Sequence, residues 1–463
     1  MNGTARLGPA TYVFGALGGL LFGYDLGVVA GALLLIKPEF GLTALEVGFV
    51  TSSLLVGCMV GALGCARLAD ALGRRRLVVV AGVVFALGCL IAAVAPNLAI
   101  IVTGRFVMGL AVGALSMTVP IYLSEIAPAR ARGSLSGLNQ LMISSGILIA
   151  YLVNLGLDGS GQWRYAFGLA LVPAIALVIG VYFQPESPRW LMRQGRVEEA
   201  RAVLARITQA GSDAVDADDT VDAVDAEIGR IQAVLDGPAR PSVGALLGDR
   251  RLRRVLLVGV GVAFLQQVIG INTIIYYAPT ILTALGFGKS AALLANAGLG
   301  ALTVVVTVIM LLVVDRIGRR RPLIFGAIAM AIAMAAMGTV FSVVGLKGGG
   351  AAGWLAIACL ALFKISFSMS WGGMAWILLG EIFPLNVRGT AMSMATFANW
   401  AGNLFVGLFF PVLLGVGTGV VFYIFAAVGV ISCLFALRVP ETRGRTLEQI
   451  EQELVPETRG AAT

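Results

Sequence analysis

The sequence predicts an all-α membrane protein whose twelve transmembrane helices form two six-helix halves. Three observations carry that expectation. Of 463 residues, 58% are hydrophobic and only 13% are charged. A soluble domain has about a quarter of its residues charged, so the apolar excess must face something other than water. Stretches of about 20 residues nearly free of charge recur along the whole chain, the length needed to cross a hydrocarbon core of about 30 Å. Short charged motifs between these stretches occur twice, in the same order.

The first stretch, 11–36, has only Arg6 ahead of it, is too long for a signal-peptide core and lacks a small-residue cleavage site. It is therefore read as a retained span. The spans that follow are 47–69, 77–95, 98–123, 133–156 and 165–183, then 254–285, 291–314, 322–345, 353–382, 389–415 and 417–438. A polar stretch, 184–250, separates the two sets. It opens with Pro185-Glu186-Ser187-Pro188-Arg189-Trp190, is rich in Asp, Ala and Val from Asp213 to Asp236, and ends in Arg250, Arg251, Arg253 and Arg254. That composition suits a solvated, partly helical linker. The expected organisation is an N-terminal half at 1–183, a linker with short helices at 184–250, a C-terminal half at 251–440 and a tail at 441–463.

Basic residues set the orientation. Among the 33 Lys and Arg, only Lys37, Arg164, Lys289 and Lys347 fall in the loops of one side, while Arg105 and Lys364 lie inside spans. The rest belong to the other side, which the positive-inside rule makes cytoplasmic, together with both termini and 184–250. The net charge of +8 therefore reflects membrane topology and not a nucleic-acid partner. Histidine is absent, which excludes imidazole relays, histidine-ligated zinc and Ser-His-Asp triads. Cys58, Cys65, Cys89, Cys359 and Cys433 all fall in apolar runs without metal spacing, and are expected to be small buried packing residues. No metal or other cofactor is expected.

The halves repeat each other. Asp70-Ala-Leu-Gly-Arg74-Arg75 after the second span matches Asp315-Arg-Ile-Gly-Arg319-Arg320 after the eighth. Glu125-Ile-Ala-Pro, with Arg132-Gly133 beyond it, matches Glu381-Ile-Phe-Pro and Arg388-Gly389; Pro185-Glu186-Ser187 matches Pro440-Glu441-Thr442. Three pairs in register imply a tandem duplication, and duplicated six-helix halves of parallel topology describe the major facilitator architecture.

Together these motifs resemble the sugar porter family of the major facilitator superfamily. The likeness runs from Phe22-Gly23-Tyr24-Asp25 to Pro440-Glu441-Thr442-Arg443-Gly444-Arg445. It takes in Gly104-Arg105, Pro185 to Trp190, and Gln266-Gln267-Val-Ile-Gly270-Ile-Asn272 with Tyr276-Tyr277. It implies a secondary active transporter of the inner (plasma) membrane, functional as a monomer in the lipid bilayer. That protein would move a monosaccharide, hexose or pentose, together with a proton by alternating access. A passive sugar carrier or a polyol (inositol)–proton symporter would share the fold. The resemblance also implies that Asp70, Arg74, Arg75, Glu125, Arg132, Glu186, Arg189, Asp315, Arg319, Arg320, Glu381, Arg388, Glu441 and Arg443 form a cytoplasmic gate between the halves. Ordinary topology-setting charge is the alternative for any single arginine. Ala66 and Ala71 stand where the family usually has glycine and arginine, so one interdomain contact is expected to be weaker.

A sugar offers hydroxyls that both donate and accept, and an apolar C–H face. Amide side chains match the hydroxyls and indoles match the face. The spans supply Gln140, Gln266, Gln267, Asn272, Trp376, Asn399 and Trp400. Amides within a bilayer face the bundle interior, either lining a cavity or bridging helices. In sugar porters the positions matching Gln140, Gln266, Gln267, Asn272, Trp376 and Trp400 line the sugar site, with Phe22 and Phe367 close by. Asn399 stands where several pentose symporters have glutamine, and Gly372-Gly373 replaces the more usual Gly-Pro. Lys364 has no counterpart in the family pattern, and structural, substrate and ion roles are all open to it.

Asp25 lies about 21 Å along the first span and Arg105 about 10 Å into the fourth, which descends from the other side. With a core of about 30 Å the two come to similar depth, as the first half's deep opposite-charge pair. In proton-coupled sugar porters the matching Asp takes up and releases the proton. A membrane enzyme would need a convergent nucleophile and base or a metal site, which the spans and linker lack. A sugar sensor would need a long cytoplasmic signalling tail.

Overall fold

The computed structural model describes residues 9–126, 132–160, 162–210, 217–236, 243–248, 250–343, 350–384 and 387–443. Among the described residues the regular structure is helical, with no strand. Among the described residues twelve helices are long and apolar enough to cross a membrane. They are Tyr12–Phe40, Ala44–Cys65, Arg74–Ala93, Leu98–Ile126, Gly137–Gly156, Trp163–Tyr182, Leu252–Ala284, Lys289–Val314, Arg320–Val343, Ala351–Ile382, Arg388–Val416 and Thr418–Ala436.

Each coincides with a predicted span, and the differences have local causes. The first span runs to Phe40, past Lys37 and Pro38. It stops where the Leu42 N–H turns back onto the Lys37 carbonyl at 3.0 Å, a Schellman closure around Gly41. The sixth is interrupted at Ala170, between Trp163–Leu169 and Leu171–Tyr182. Pro173 follows directly and has no N–H to return to Leu169. The seventh breaks between Val268 and Ile271. The tenth contains a π-helical turn, Ser368–Gly372.

Internal contacts divide the chain into two compact units, 1–28 with 53–239 and 29–52 with 240–463. Hydrocarbon tails are as apolar as leucine, so association inside a membrane relies on close packing of small residues. In the first unit the second and fourth spans meet backbone to backbone. A Cβ on Gly57 or Gly61 would strike the Phe106 or Leu110 carbonyl, and one on Gly109 or Gly113 would strike that of Leu54 or Cys58. The first and fifth spans approach equally closely through Gly23 and Gly146. In the second unit Gly338, Gly419 and Gly429 join the ninth and twelfth spans, and Gly402 lies on the Phe264 carbonyl of the seventh.

The described part of the linker holds four short helices, Pro188–Arg193, Val197–Ala210, Ala217–Leu235 and Val243–Gly248. Ser187 caps the first, accepting from the Trp190 N–H at 3.3 Å, with Pro188 in the first helical position. The linker is less solvated than its composition suggested: Trp190, Leu191, Met192 and Ala200 are buried. Four of the five cysteines are buried as expected, but Cys433 is only half-buried, and all five are free thiols.

Candidate functional site

Each unit carries a copy of one charged cluster. In the first, the backbone N–H groups of Arg74 and Arg75 donate to Glu186 Oε1 at 2.9 and 3.0 Å. They are the first N–H groups of the third span, so the carboxylate sits on the positive end of a helix dipole. Arg74 Nε lies 3.3 Å from Glu125 Oε2, which also accepts from Ser187 Oγ at 2.5 Å. In the second unit Arg319 and Arg320 donate their N–H groups to Glu441 at 3.0 and 3.1 Å. Arg319 Nη2 bonds Glu381 at 2.9 Å, and Thr442 Oγ1 donates to Glu381 at 2.5 Å. Gly73 and Gly318, at φ 93° and 77°, precede the two helices. A Cβ on either would meet the capping carboxylate, so both the dihedral and the space require glycine.

Burial pushes the Glu441 carboxyl up, but the N–H donors of Arg319, Arg443, Arg320 and Thr442 outweigh it and hold it below the ordinary glutamate range. A depressed folded-state value contributes stability that is present above the unfolded value and lost as pH falls through the folded one. Glu441→Gln should therefore lower the melting temperature at neutral pH, and the gap to the parent should close on acidification. A gap that stays constant with pH would show that the charge of Glu441 contributes nothing.

The described ion pairs of these residues join elements of the same unit. Asp70 takes Arg193 at 2.6 Å and Arg74 at 3.5 Å, and the exposed Arg189 has no ion pair among the described residues. Arg388 Nε donates to the Phe383 carbonyl at 3.1 Å, and the Arg443 N–H donates to Glu441 Oε1 at 3.1 Å. The side chains of Arg132 and Asp315 lie outside the described residues.

Asp25 and Arg105 do meet. Arg105 Nη1 donates to Asp25 Oδ1 at 3.1 Å, and both side chains are fully buried. Asp25 Oδ2 accepts no hydrogen bond among the described residues. The first span is held in place here from both sides. Tyr24 Oη donates to the Ala166 carbonyl at 2.7 Å, and Asn154 Nδ2 donates to those of Gly27 and Val28 at 3.2 and 3.1 Å. A buried ion pair needs such over-determined surroundings, since desolvation offsets much of its attraction.

In the second unit the predicted amides form one network. Asn272 Nδ2 donates to Gln267 Oε1 at 2.5 Å, and Gln267 Nε2 donates to Asn399 Oδ1 at 3.1 Å. Asn399 Nδ2 reaches Gln266 Oε1 at 2.6 Å and the Ala263 carbonyl at 2.8 Å. Gln266 Nε2 in turn donates to the Trp371 and Gly372 carbonyls at 2.7 and 3.2 Å, within the π-helical turn of the tenth span. Gln266, Asn272 and Asn399 are buried and Gln267 is half-buried. Trp400 is buried; Trp376 and Phe367 are half-buried, the Phe367 ring lying against Gly372. In the first unit Phe22 and Gln140 are half-buried. Such a network can bridge helices, and it can also exchange its amide–amide bonds for bonds to ligand hydroxyls.

Sequence reading missed Trp371, whose indole Nε1 donates to the Leu323 carbonyl at 2.9 Å and anchors the π-helical turn. It also gave no role to Asn154, Arg193, Ser187 or Thr442. The hydroxyl following each motif glutamate was the available signal for the last two.

The family model described as "Sugar (and other) transporter" matches residues 11–454. The chain is 43% identical over 454 residues to the glucose transporter GlcP of Staphylococcus epidermidis, covering 98% of each. It is 40% identical to a D-xylose transporter of Levilactobacillus brevis, covering 96% of each, and 38% identical to the galactose-proton symporter of Escherichia coli, covering 95% of this chain and 93% of that one. Among solved structures, the xylose transporter XylE of Escherichia coli superposes with a TM-score of 0.81 at 31% identity, over 95% of this chain and 99% of that one. With twelve spans, the major facilitator fold and a family match along nearly its whole length, the chain belongs to the sugar transporters, multi-pass proteins of the plasma membrane and not enzymes.

Proposed function

We propose that this chain carries a monosaccharide, hexose or pentose, inward together with a proton by alternating access. The buried Asp25–Arg105 pair is the observation that carries this reading. A carboxylate fully removed from water, with one oxygen bonded by a guanidinium and the other accepting no described bond, is a place where a proton can be held and released. A passive carrier has no need of it. The relatives named as glucose, xylose and galactose transporters support a sugar as the co-substrate.

Gln140, Gln266, Gln267, Asn272, Trp376, Asn399 and Trp400 would hold the sugar, with Phe22, Phe367 and Gly372 beside them. The two charged clusters, with Arg132, Arg189, Asp315 and Arg388, would form the cytoplasmic gate. The sequence halves 1–183 and 251–440 would act as the two moving parts, joined by 184–250 and followed by the tail from 441. The protein would work as a monomer in the bilayer, with termini and linker in the cytoplasm.

Uptake into proteoliposomes under an imposed pH gradient and potential tests the reading, with hexoses, pentoses and inositol as competitors. Accumulation of a hexose or pentose that collapses with a protonophore is the expected result. Uptake that stops at equal concentrations would make the protein a passive carrier. Competition by inositol alone would make it a polyol symporter. Orientation has its own test: a reporter inserted at the exposed turn residue Gly195 should read cytoplasmic and one at Gly288 external. The opposite pattern would invert the topology.

A further inference from the structure

The helix that opens the seventh span, Arg250–Val268, carries Arg250, Arg251, Arg253 and Arg254 at its start. Of these, the side chains of Arg253 and Arg254 are described, and both are exposed. Two neighbouring spans bring more charge to the same end of the second unit. Phe435 of the twelfth span lies against Gly261 of the seventh, and Ala331 of the ninth lies against Gly429 of the twelfth. Arg320 Nη2 donates to the Leu437 carbonyl, which fixes the start of the ninth span beside the end of the twelfth. Exposed Arg253 and Arg254, exposed Arg438 and exposed Arg321 thus stand at the same end of three helices that pack on one another in sequence.

Among the described residues no acidic side chain forms an ion pair with these arginines. The first turns of the seventh and ninth spans contain no acidic residue. Glu441, the adjacent carboxylate, accepts the N–H groups of Arg319 and Arg320. One turn deeper, each exposed arginine is followed by an exposed apolar side chain: Leu257 below Arg253 and Arg254, Phe325 below Arg321, and Leu434 below Arg438. Leu257 and Phe325 are 63% and 69% exposed.

We propose that these ends of the seventh, ninth and twelfth spans bind the headgroup of an anionic phospholipid. The guanidinium groups take the phosphate, and the apolar side chains one turn deeper take the first carbons of the acyl chains. Setting topology requires only that positive charge be present on one side. It does not require arginines of three packed helices to converge above an apolar strip, which is the shape of a phospholipid.

The test uses the purified, delipidated full chain in neutral detergent. It is titrated with phosphatidylglycerol, with phosphatidylcholine of the same acyl chains and with inorganic phosphate, and the melting temperature is followed by tryptophan fluorescence. Phosphatidylglycerol should raise the melting temperature saturably at concentrations where the other two do not. Arg253→Gln, Arg254→Gln and Arg438→Gln combined should weaken that response about a hundredfold, at about fivefold per arginine. The matching triple lysine variant should keep it within about tenfold, since a surface phosphate contact is largely a matter of charge. If the glutamine variant does not fold, the parent decides. Raising salt from about 0.05 to about 0.5 M must weaken its phosphatidylglycerol response, because exposed pairs are screened. An equal response to phosphatidylcholine overturns the proposal, as does an equal response to inorganic phosphate, which would mean a free-anion site. So does an unchanged response in a folded glutamine variant, or a response indifferent to salt.

Discussion

Asp25→Asn should abolish uphill accumulation while leaving sugar binding and exchange in place. The amide keeps the shape of the carboxylate and can still accept from Arg105 Nη1, but it cannot take up or release a proton. One charge moving inward across 100 mV yields about 2.3 kcal/mol. At about 1.36 kcal/mol per decade that sustains a gradient of roughly fifty-fold, which the variant should lose entirely. Arg105→Ala should impair coupling as well, by leaving a buried carboxylate without its partner. Counterflow measured beside uptake separates the outcomes. Accumulation that persists in Asp25→Asn would remove Asp25 from the coupling mechanism, and loss of counterflow as well would mean that the pair holds the first and fourth spans together.

Gln267→Ala should weaken sugar binding about 5- to 150-fold, since a lost hydrogen bond to a ligand is worth roughly 1–3 kcal/mol. Gln267 is a better choice than Gln266 because the two amides have different structural duties. Gln266 holds two carbonyls of the π-helical turn, so its loss disturbs the tenth span whatever the ligand. Gln267 is half-buried and, among the described residues, bonds only other side chains, Asn272, Asn399 and Gln266. The measurement is binding by the purified variant, with melting temperature as the control for folding. Unchanged affinity in a folded Gln267→Ala protein would move the sugar site away from this network.

The twelve spans were legible because a bilayer imposes a length and a composition that any window of sequence displays. The Asp25–Arg105 pair was legible for a related reason: two opposite charges at equal depth in hydrocarbon have few other partners. What the sequence did not disclose depends on the third dimension. The π-helical turn at Ser368–Gly372 is held from elsewhere in the chain by Gln266, which donates to its Trp371 and Gly372 carbonyls, and no local propensity announces it. The contact of Asp70 with Arg193 was not legible because Arg193 comes from a linker helix whose path the pattern of charges does not reveal. Glu186 and Glu441 were recognised as charges, but their bonds run to backbone N–H groups, which every residue carries and no residue type marks.

Those two carboxylates make the molecule its own control. After duplication the two copies diverged around a shared piece of chemistry: a glycine, two arginines whose amides start a helix, a glutamate that caps it and a hydroxyl beside that glutamate. One copy has serine and alanine-proline where the other has threonine and phenylalanine-proline, while in both the hydroxyl donates to the partner glutamate and the two arginine amides donate to the capping one. Any substitution made in one copy therefore has a matched partner in the other, within one polypeptide, one membrane and one preparation. Unequal effects of the same change at Glu186 and Glu441 would measure how differently the two halves are loaded during transport.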